Sequence, residues 1–508
     1  MAVREITNVP HRQGIRGFAL IWTGITLLIG VATFAAIYSA TGAAMNSNLN
    51  NGRGIAPALI AAAVSTQATT AIPTLGAIAT DTPPATSAPA VALQVTATPV
   101  PIVATSPATA ASVPQNVPAT AASADSTVPA INDHAFDLGI QVQENPDPKT
   151  YDLWMQMVAN QLKLNWIKSQ VRWADLEKTK GAPLDFGTLD VILPLAAKYK
   201  VKVLLSIVTA PRWAREKGAS TNPDHNGPPA DPQDYVNFVT AIVKRYPGQV
   251  HAIEVWNEQN LDREWDSPKG LQATQYVALL SATYKAVKAI DPNIVIMSGA
   301  LSPVSVSDPP RFYDDFVYMD AMIKAGVLNT VDCIGAHHNG INLPPTVDYQ
   351  AAPRDPKGQR SRFRGPYDNP HHEWSFKSTL EGYHQRIAAA GSSVKLCVTE
   401  FGWPSMGGIT VSATSKAQAA PPVGFEFAAD NTLADQADYT NAAIKEMMDW
   451  GWIQLAFVWN LNYGAQIGWD PKNDNVPYSI LGPGFSQRPV WQKITDYNFR
   501  NKPRQASQ

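Results

Sequence analysis

The pattern of apolar and polar positions changes character at about residue 131. From there to about residue 500, short apolar runs alternate with longer segments whose apolar residues recur at helical spacing. The short runs predict buried strands and the longer segments predict amphipathic helices. The predicted strands span residues 135–142, 165–173, 202–211, 251–257, 293–300, 332–338, 395–400 and 453–460. The predicted helices span residues 150–163, 185–199, 231–246, 271–290, 310–326, 375–390, 433–450 and 488–498.

Eight strands that alternate with helices over about 370 residues predict an α/β fold, a (β/α)8 TIM barrel with insertions, for residues 131–500. A doubly wound open sheet is the alternative. That fold would require a glycine-rich phosphate-binding turn after an early strand, and the sequence has none.

The N-terminal part of the chain has a different organisation. Residues 17–38 contain no charged residue and are about long enough to span a bilayer as a helix, whereas residues 1–16 carry Arg4, Arg12 and Arg16. The positive-inside rule then predicts a cytoplasmic segment 1–16, a transmembrane helix or signal anchor 17–38, and an extracellular remainder. The alternative is a cleaved signal peptide and a secreted protein, with cleavage near the small residues 40–43.

Residues 39–130 are dominated by Ala, Pro, Thr, Ser and Val and have almost no charge. Such a composition does not bury enough apolar surface to offset the entropy of the chain. We therefore expect a disordered Pro/Ala/Thr-rich linker that holds the domain away from a membrane. Residues 501–508 are predicted to be a C-terminal tail.

Composition narrows the possible partners. The net charge of −2 argues against nucleic acid as a partner, because phosphate binding requires a basic face. The two cysteines, Cys333 and Cys397, lie within predicted strands and form neither a zinc pattern nor a disulfide framework. We expect two buried free thiols, with a disulfide as the alternative if the two strands are neighbours.

Two predicted strands lead into a glutamate. Glu258 follows the fourth strand in the sequence VWNEQN, and Glu400 follows the seventh strand in TEFGW. Active sites in this fold lie at the C-terminal ends of the strands, so barrel closure would bring both carboxylates to one site. Either glutamate alone could be a structural, salt-bridged carboxylate. The pair suits cleavage of a glycosidic bond, in which one carboxyl group donates a proton and the other attacks the anomeric carbon.

A glutamate preceded by Asn at the fourth strand, together with a second glutamate at the seventh strand, resembles the pattern of glycoside hydrolase clan A. That clan comprises retaining β-glycosidases with a TIM barrel, and families 39 and 5 (cellulase-like) look most similar. The resemblance implies that Glu258 is the acid/base and Glu400 the nucleophile. It also implies that Asn257 binds the 2-hydroxyl group of the sugar at the cleaved bond.

The resemblance assigns three further substrate-binding positions. Arg172, which ends the second strand, would lie near Glu400 and keep it ionised; the alternative is a structural salt bridge. His337 matches a histidine that the clan often has at the sixth strand, although His338 could be the inward residue instead. Many members have Tyr two residues after that histidine, and this chain has Asn339. Trp459, at the end of the eighth strand, matches an aromatic platform for the sugar, or is a core residue.

The sequence indicates no metal site and no cofactor. His371 and His372 lack a further ligand at metal-binding spacing. The long segment 339–374 between the sixth strand and its helix is of a length that is usually functional.

We therefore predict retaining hydrolysis of β-O-glycosidic bonds in an oligo- or polysaccharide. One alternative is a transglycosylase that uses the same carboxylates to remodel a surface polysaccharide. A second alternative is a non-catalytic carbohydrate-binding barrel, whose sequence would be expected to lack one of the glutamates. The sugar, the linkage and the oligomeric state stay open.

Overall fold

A computed structural model describes residues 136–222, 224–309, 311–412 and 414–501. Eight parallel strands form a closed barrel in chain order, with β1 paired to both β2 and β8. The strands are β1 Asp137–Gln141, β2 Trp166–Arg172, β3 Lys202–Val208, β4 Ala252–Val255, β5 Val295–Ser298, β6 Cys333–Asn339, β7 Lys395–Gly402 and β8 Ile453–Val458.

A helix longer than one turn follows each strand. These helices are α1 Pro148–Gln156, α2 Gly187–Lys198, α3 Pro232–Arg245, α4 Ala273–Ile290, α5 Asp315–Lys324, α6 Phe376–Ala389, α7 Leu433–Trp450 and α8 Pro489–Tyr497. The predicted (β/α)8 barrel is confirmed, and every predicted strand and helix lies at its expected place. The largest differences are at α1, which was predicted to end at residue 163 and ends at Gln156, and at α5, which was predicted from residue 310 and begins at Asp315, where the Asp314 side chain caps Val317.

Shorter elements lie in the connections. A π-helical turn, Met157–Gln161, continues α1. Single-turn helices span Trp173–Leu176, Gly365–Asp368 and Tyr463–Gln466, and a two-stranded antiparallel ribbon joins Leu481–Gly482 to Ser486–Gln487. The long segment between β6 and α6 is therefore folded. Its apolar residues form a small cluster with Phe427 and Tyr478, and Trp459 packs against this cluster.

The side chains inside the barrel are apolar at one end and charged toward the other. A cluster of buried apolar side chains, among them Trp166 on β2 and Ala252 on β4, fills the end of the barrel at which the strands begin. Side chains two residues apart on a strand share a face. Lys168 and Glu254 therefore continue the same inward rows toward the C-terminal end, and both are fully buried. The interior thus changes from apolar to charged along the barrel.

The two cysteines correct one expectation. Cys333 on β6 and Cys397 on β7 are adjacent in the sheet and form a disulfide, with their Cα atoms 5.9 Å apart. The prediction of two free thiols was wrong, because spacing along the chain does not specify the register that brings the two thiols of these neighbouring strands together. The disulfide links positions 64 residues apart in the sequence.

The predicted membrane segment 17–38 and the predicted linker 39–130 lie outside the described residues. Within the described part of the chain, no helix combines the length and the hydropathy that a membrane crossing requires.

Candidate active site

The chain turns sharply where β4 ends. Trp256 and Glu258 adopt φ angles of 74° and 45°, in the left-handed region that non-glycine residues rarely occupy. Such backbone costs about 1–3 kcal/mol per residue and is often found at functional sites. The backbone N–H of Glu258 donates to the carbonyl of Ala300, at 2.8 Å, in the connection after β5. This contact fixes the glutamate at the C-terminal mouth of the barrel.

The carboxylate of Glu258 has two partners. Nδ1 of His337 lies 3.2 Å from Oε1, and a guanidinium nitrogen of Arg263 donates to Oε2 at 2.9 Å. Burial alone would raise the pKa of Glu258. The His337 hydrogen bond and the charge of Arg263 outweigh burial and lower the pKa to about 2. Glu258 is therefore a carboxylate in this structure at neutral pH.

Glu400 has a different set of partners. Nζ of Lys168 donates to Oε1 at 2.9 Å, and Nδ2 of Asn339 donates to Oε2 at 3.2 Å. A register shift between β6 and β7 at Ala336/His337 pairs His337 with Glu400 across the two strands. Glu400 lies within β7 rather than at its end, which differs slightly from the sequence expectation. Two donors of different charge thus hold the two oxygens of one carboxylate.

Beneath Glu400 lies a buried ion-pair network. Lys168 also pairs with Glu254, at 3.2 Å, and Thr399 donates to Glu254 at 2.6 Å. Burial would lower the pKa of Lys168, but the charges of Glu254 and Glu400 raise it above its ordinary value. For Glu254 burial acts to raise the pKa, and the nearby Lys168 lowers it. Lys168 and Glu254 are therefore both charged, and the ammonium group lies between the carboxyl groups of Glu254 and Glu400.

His337 connects the two glutamates. Its Nδ1 contacts Glu258, and its Nε2 lies 3.8 Å from Oε1 of Glu400. Burial would lower the pKa of this imidazole, but the charge of Glu400 and the hydrogen bond to Glu258 raise it. The neighbouring His338 points elsewhere, contacts the Glu373 carbonyl at 3.1 Å, and has a pKa lowered by burial to about 4. Of the two histidines, His337 is the inward residue.

The other positions implied by the resemblance are placed as follows. Asn257 is 7% exposed, and its Oδ1 is buried without a hydrogen-bond partner among the described residues. Trp459 is half-buried at the end of β8, where its backbone N–H donates to the Phe401 carbonyl at 2.8 Å. The ring of Trp459 lies 6.4 Å from the ring of Tyr463.

Arg172 requires a correction. It lies at the end of β2, and its ion pair is with Asp175, at 3.3 Å. The cation that contacts Glu400 is Lys168, four positions earlier on the same strand. Four residues of strand span about 13 Å, so a side chain at the strand end and one in the barrel interior occupy different depths. The alternative of a salt bridge describes Arg172 better than the implied contact with the nucleophile.

Sequence reasoning missed Lys168, Glu254 and Arg263, and it noted Asn339 only as a departure from the family. A usable signal existed for the first two. Lys168 interrupts the apolar strand NWIKSQV and Glu254 interrupts AIEV, and a charge inside a buried strand requires a partner. Arg263 lies in a connection with no periodic pattern, so nothing in the sequence distinguished it from a surface arginine.

One group of metal-ligand type occurs among the described residues. The ligand atoms of Asp314, Asp315 and His372 lie within 4.8 Å of one another. However, Asp315 is already paired with His372 at 2.7 Å and accepts a hydrogen bond from Tyr383 at 2.6 Å. These contacts explain the arrangement as a buried hydrogen-bond network. The absence of a metal and of a cofactor stays a prediction.

No protein-family model matches the chain, and no curated protein matches it. Solved structures of similar fold include a family 39 glycoside hydrolase from the gut symbiont Bacteroides cellulosilyticus WH2, with 18% identity, a TM-score of 0.47, and coverage of 73% of this chain and 65% of that chain. This chain thus spans slightly less than two thirds of the length of that structure.

Two further structures show similar values. An endo-beta-1,4-glucanase variant from Xanthomonas axonopodis pv. citri has 14% identity and a TM-score of 0.41, with coverage of 72% of this chain and 99% of that chain. A GH10 endoxylanase from a sugarcane soil metagenome has 13% identity and a TM-score of 0.46, with the same coverages of 72% and 99%.

Proposed function

We propose that this protein is a retaining β-glycosidase in which Glu400 is the nucleophile and Glu258 is the acid/base. The observation that carries the proposal is the placement of two carboxylates, from β4 and β7, on opposite nitrogens of the single imidazole of His337. A pair of carboxylates in one site, held by different partners, is what a double displacement at an anomeric carbon requires.

The surroundings of Glu400 suit a nucleophile. Lys168 stabilises its negative charge, and Asn339 fixes its second oxygen. In the first step Glu400 forms an ester with the anomeric carbon while the glycosidic C–O bond breaks, and Glu258 gives a proton to the leaving oxygen. In the second step Glu258 takes a proton from water, the water oxygen bonds to the anomeric carbon, and Glu400 is released as a carboxylate.

Two neighbouring residues would bind the sugar. The buried Oδ1 of Asn257, next to Glu258 in sequence, has no partner among the described residues and would accept a hydrogen bond from a sugar hydroxyl group. The half-buried ring of Trp459 suits stacking on the apolar face of a sugar ring. Partly buried Phe363, Trp374 and Phe425 pack in the same cluster as Trp459. These additional rings favour an oligo- or polysaccharide as the substrate.

The proposed function also places the barrel outside the cytoplasm. Disulfides persist in oxidising environments and are rare in the cytosol. The Cys333–Cys397 bond therefore supports export of the barrel, either anchored by a membrane helix at residues 17–38 or secreted. Fractionation of cells that express the full chain, with protease added outside intact cells, tests this part. Protection of the barrel from the protease in intact cells would contradict it.

The experiment that tests the proposed chemistry uses the full chain and a panel of β-glucans, xylans, mannans, galactans and activated aryl β-glycosides. Glu400→Ala should abolish release of sugar. Added azide should then enter the vacated space and give the α-glycosyl azide. Glu258→Ala should retain more activity on activated aryl glycosides than on unactivated substrates, and azide should give the β-glycosyl azide.

The matched control is Glu381→Ala on the outer helix α6, where Glu381 lies 3.9 Å from Lys377. This variant should cleave at the wild-type rate. Undiminished cleavage by Glu400→Ala would refute the nucleophile assignment. Binding of a glycan by the wild type without any release of sugar would support a binding module instead. Products longer than the substrate would identify a transglycosylase.

A further inference from the structure

Arg263 lies in the connection after β4, five residues beyond Glu258. Its guanidinium group donates to Oε2 of Glu258 at 2.9 Å, and its side chain is 28% exposed. A general acid must carry a proton before it can give one to the leaving oxygen. A guanidinium group at this distance stabilises the unprotonated form instead. The contact therefore opposes the first chemical step.

Other charged groups around Glu258 also affect its protonation. His337 on β6 contacts the other carboxylate oxygen and also favours the ionised form. Glu264, in the same connection as Arg263, acts in the opposite direction as a like charge. The remaining charged groups act through these neighbours. They are Glu400 on β7, Glu254 on β4, Lys168 and Arg172 on β2, and Asp474 in the connection after β8.

Arg263 has a second carboxylate within reach. Its Nε lies 3.9 Å from Oε1 of Glu264, whose other oxygen accepts a hydrogen bond from Asn226 at 2.9 Å. Burial raises the pKa of Glu264 above its ordinary value, and the charge of Arg263 offsets part of this rise. If the guanidinium group moved toward Glu264, the charges of Arg263 and Glu264 would therefore still have a partner in each other. Glu264 thus offers the Arg263 side chain a second ion-pair partner when its contact with Glu258 breaks.

We propose that Arg263 is a positioning residue that holds Glu258 as a carboxylate in the free enzyme. The sugar on the leaving side of the bond displaces Arg263 toward Glu264, and Glu258 then takes up the proton that it donates. This inference rests on the proposed function. The proton comes from solvent, passes to the leaving oxygen as the C–O bond breaks, and is replaced from the attacking water in the second step.

The two kinetic parameters separate the free and the bound states. The pH dependence of kcat/KM reports the groups of the free enzyme, and that of kcat reports the groups of the substrate complex. With Arg263 on Glu258 in the free enzyme only, the alkaline limb of kcat/KM should lie at lower pH than that of kcat. This comparison uses the wild type on an unactivated oligosaccharide.

Arg263→Gln removes the charge. The alkaline limb of kcat/KM should move to higher pH by about 1–3 units, the usual effect of an adjacent opposite charge on a carboxyl pKa. Arg263→Lys keeps a cation at this place, so the alkaline limb of kcat/KM should stay close to its pH in the wild type. On activated aryl glycosides, whose leaving group does not need a proton, the two variants should match the wild type. The matched control, Arg245→Gln, breaks the ion pair between Arg245 on α3 and Asp190 on α2. It should leave the pH profile of kcat/KM unchanged.

Coincident profiles for Arg263→Gln and the wild type would overturn the proposal. A second measurement does not depend on turnover. Potentiometric titration of the wild type against Glu258→Gln gives the pKa of Glu258 directly, and a value at or above that of an ordinary glutamate would also overturn it. If no glycoside is cleaved but the titration finds a lowered pKa, the proposed function fails while the effect of Arg263 on Glu258 stands.

Discussion

The ammonium group of Lys168 lies between the carboxylates of Glu400 and Glu254, 2.9 Å from the first and 3.2 Å from the second. All three side chains are buried, and they come from β2, β7 and β4. One cation therefore supports the proposed nucleophile and at the same time neutralises a glutamate that has no exposure to solvent. This relationship joins the stability of the barrel to the chemistry of its mouth.

Lys168→Met should destabilise the protein strongly. Removal of one partner from a buried ion pair costs about 3–5 kcal/mol, because the remaining charge is left buried without compensation. Here two carboxylates would be left. Urea unfolding measures the loss. The control is Lys198→Met, which removes an exposed lysine paired with Asp152 and should leave the unfolding free energy nearly unchanged. Equal stability of the two variants would show that the buried network is not stabilising.

Asn339→Ala should reduce kcat. The amide of Asn339 donates to Oε2 of Glu400 at 3.2 Å, and hydrogen bonds to charged groups contribute about 1.5–3 kcal/mol. A loss of this size corresponds to about a 10- to 150-fold lower rate if the bond acts in the transition state. Steady-state kinetics on one substrate test it. Asn237→Ala, at an exposed position of α3, is the control. An unchanged kcat in Asn339→Ala would mean that Lys168 alone positions the nucleophile.

The pH dependence of the unfolding free energy should reveal the lowered pKa of Glu258. Its pKa in the folded protein, about 2, is below the ordinary value of 4.5, so the folded state binds the proton less well than the unfolded state. The resulting stabilisation is present above pH 4.5 and is lost as the pH falls toward 2. The wild type should lose about 3 kcal/mol more than Glu258→Gln between pH 5 and pH 2. Urea unfolding across this range measures the difference, and parallel curves would contradict the lowered pKa.

The disulfide gives a prediction that needs no substrate. The chain has two cysteines in total, so denatured, unreduced protein should show no free thiol, and reduction should release two. A bond that closes a loop of 64 residues stabilises by about 4 kcal/mol on the chain-entropy model. Cys333→Ala/Cys397→Ala should lose stability of this order in urea unfolding. Free thiols in unreduced protein purified from the exterior of the cell would contradict the pairing.

The sequence by itself determined the architecture and the two glutamates. Alternation of apolar strand-like runs with helical spacing is a local property, and eight repeats of it without a glycine-rich phosphate-binding turn favour a closed barrel over a doubly wound sheet. Glu258 and Glu400 were recognisable because each follows an apolar strand, where a carboxylate requires a partner or a task.

Only the tertiary structure decided which groups touch those glutamates. Lys168 rather than Arg172 reaches Glu400, Arg263 reaches Glu258, and Cys333 bonds to Cys397. Each contact joins side chains whose depth along the barrel axis depends on strand register, on the register shift beside His337, or on the path of a connection. Register is a property of paired strands and not of one strand, so spacing along the chain does not specify it.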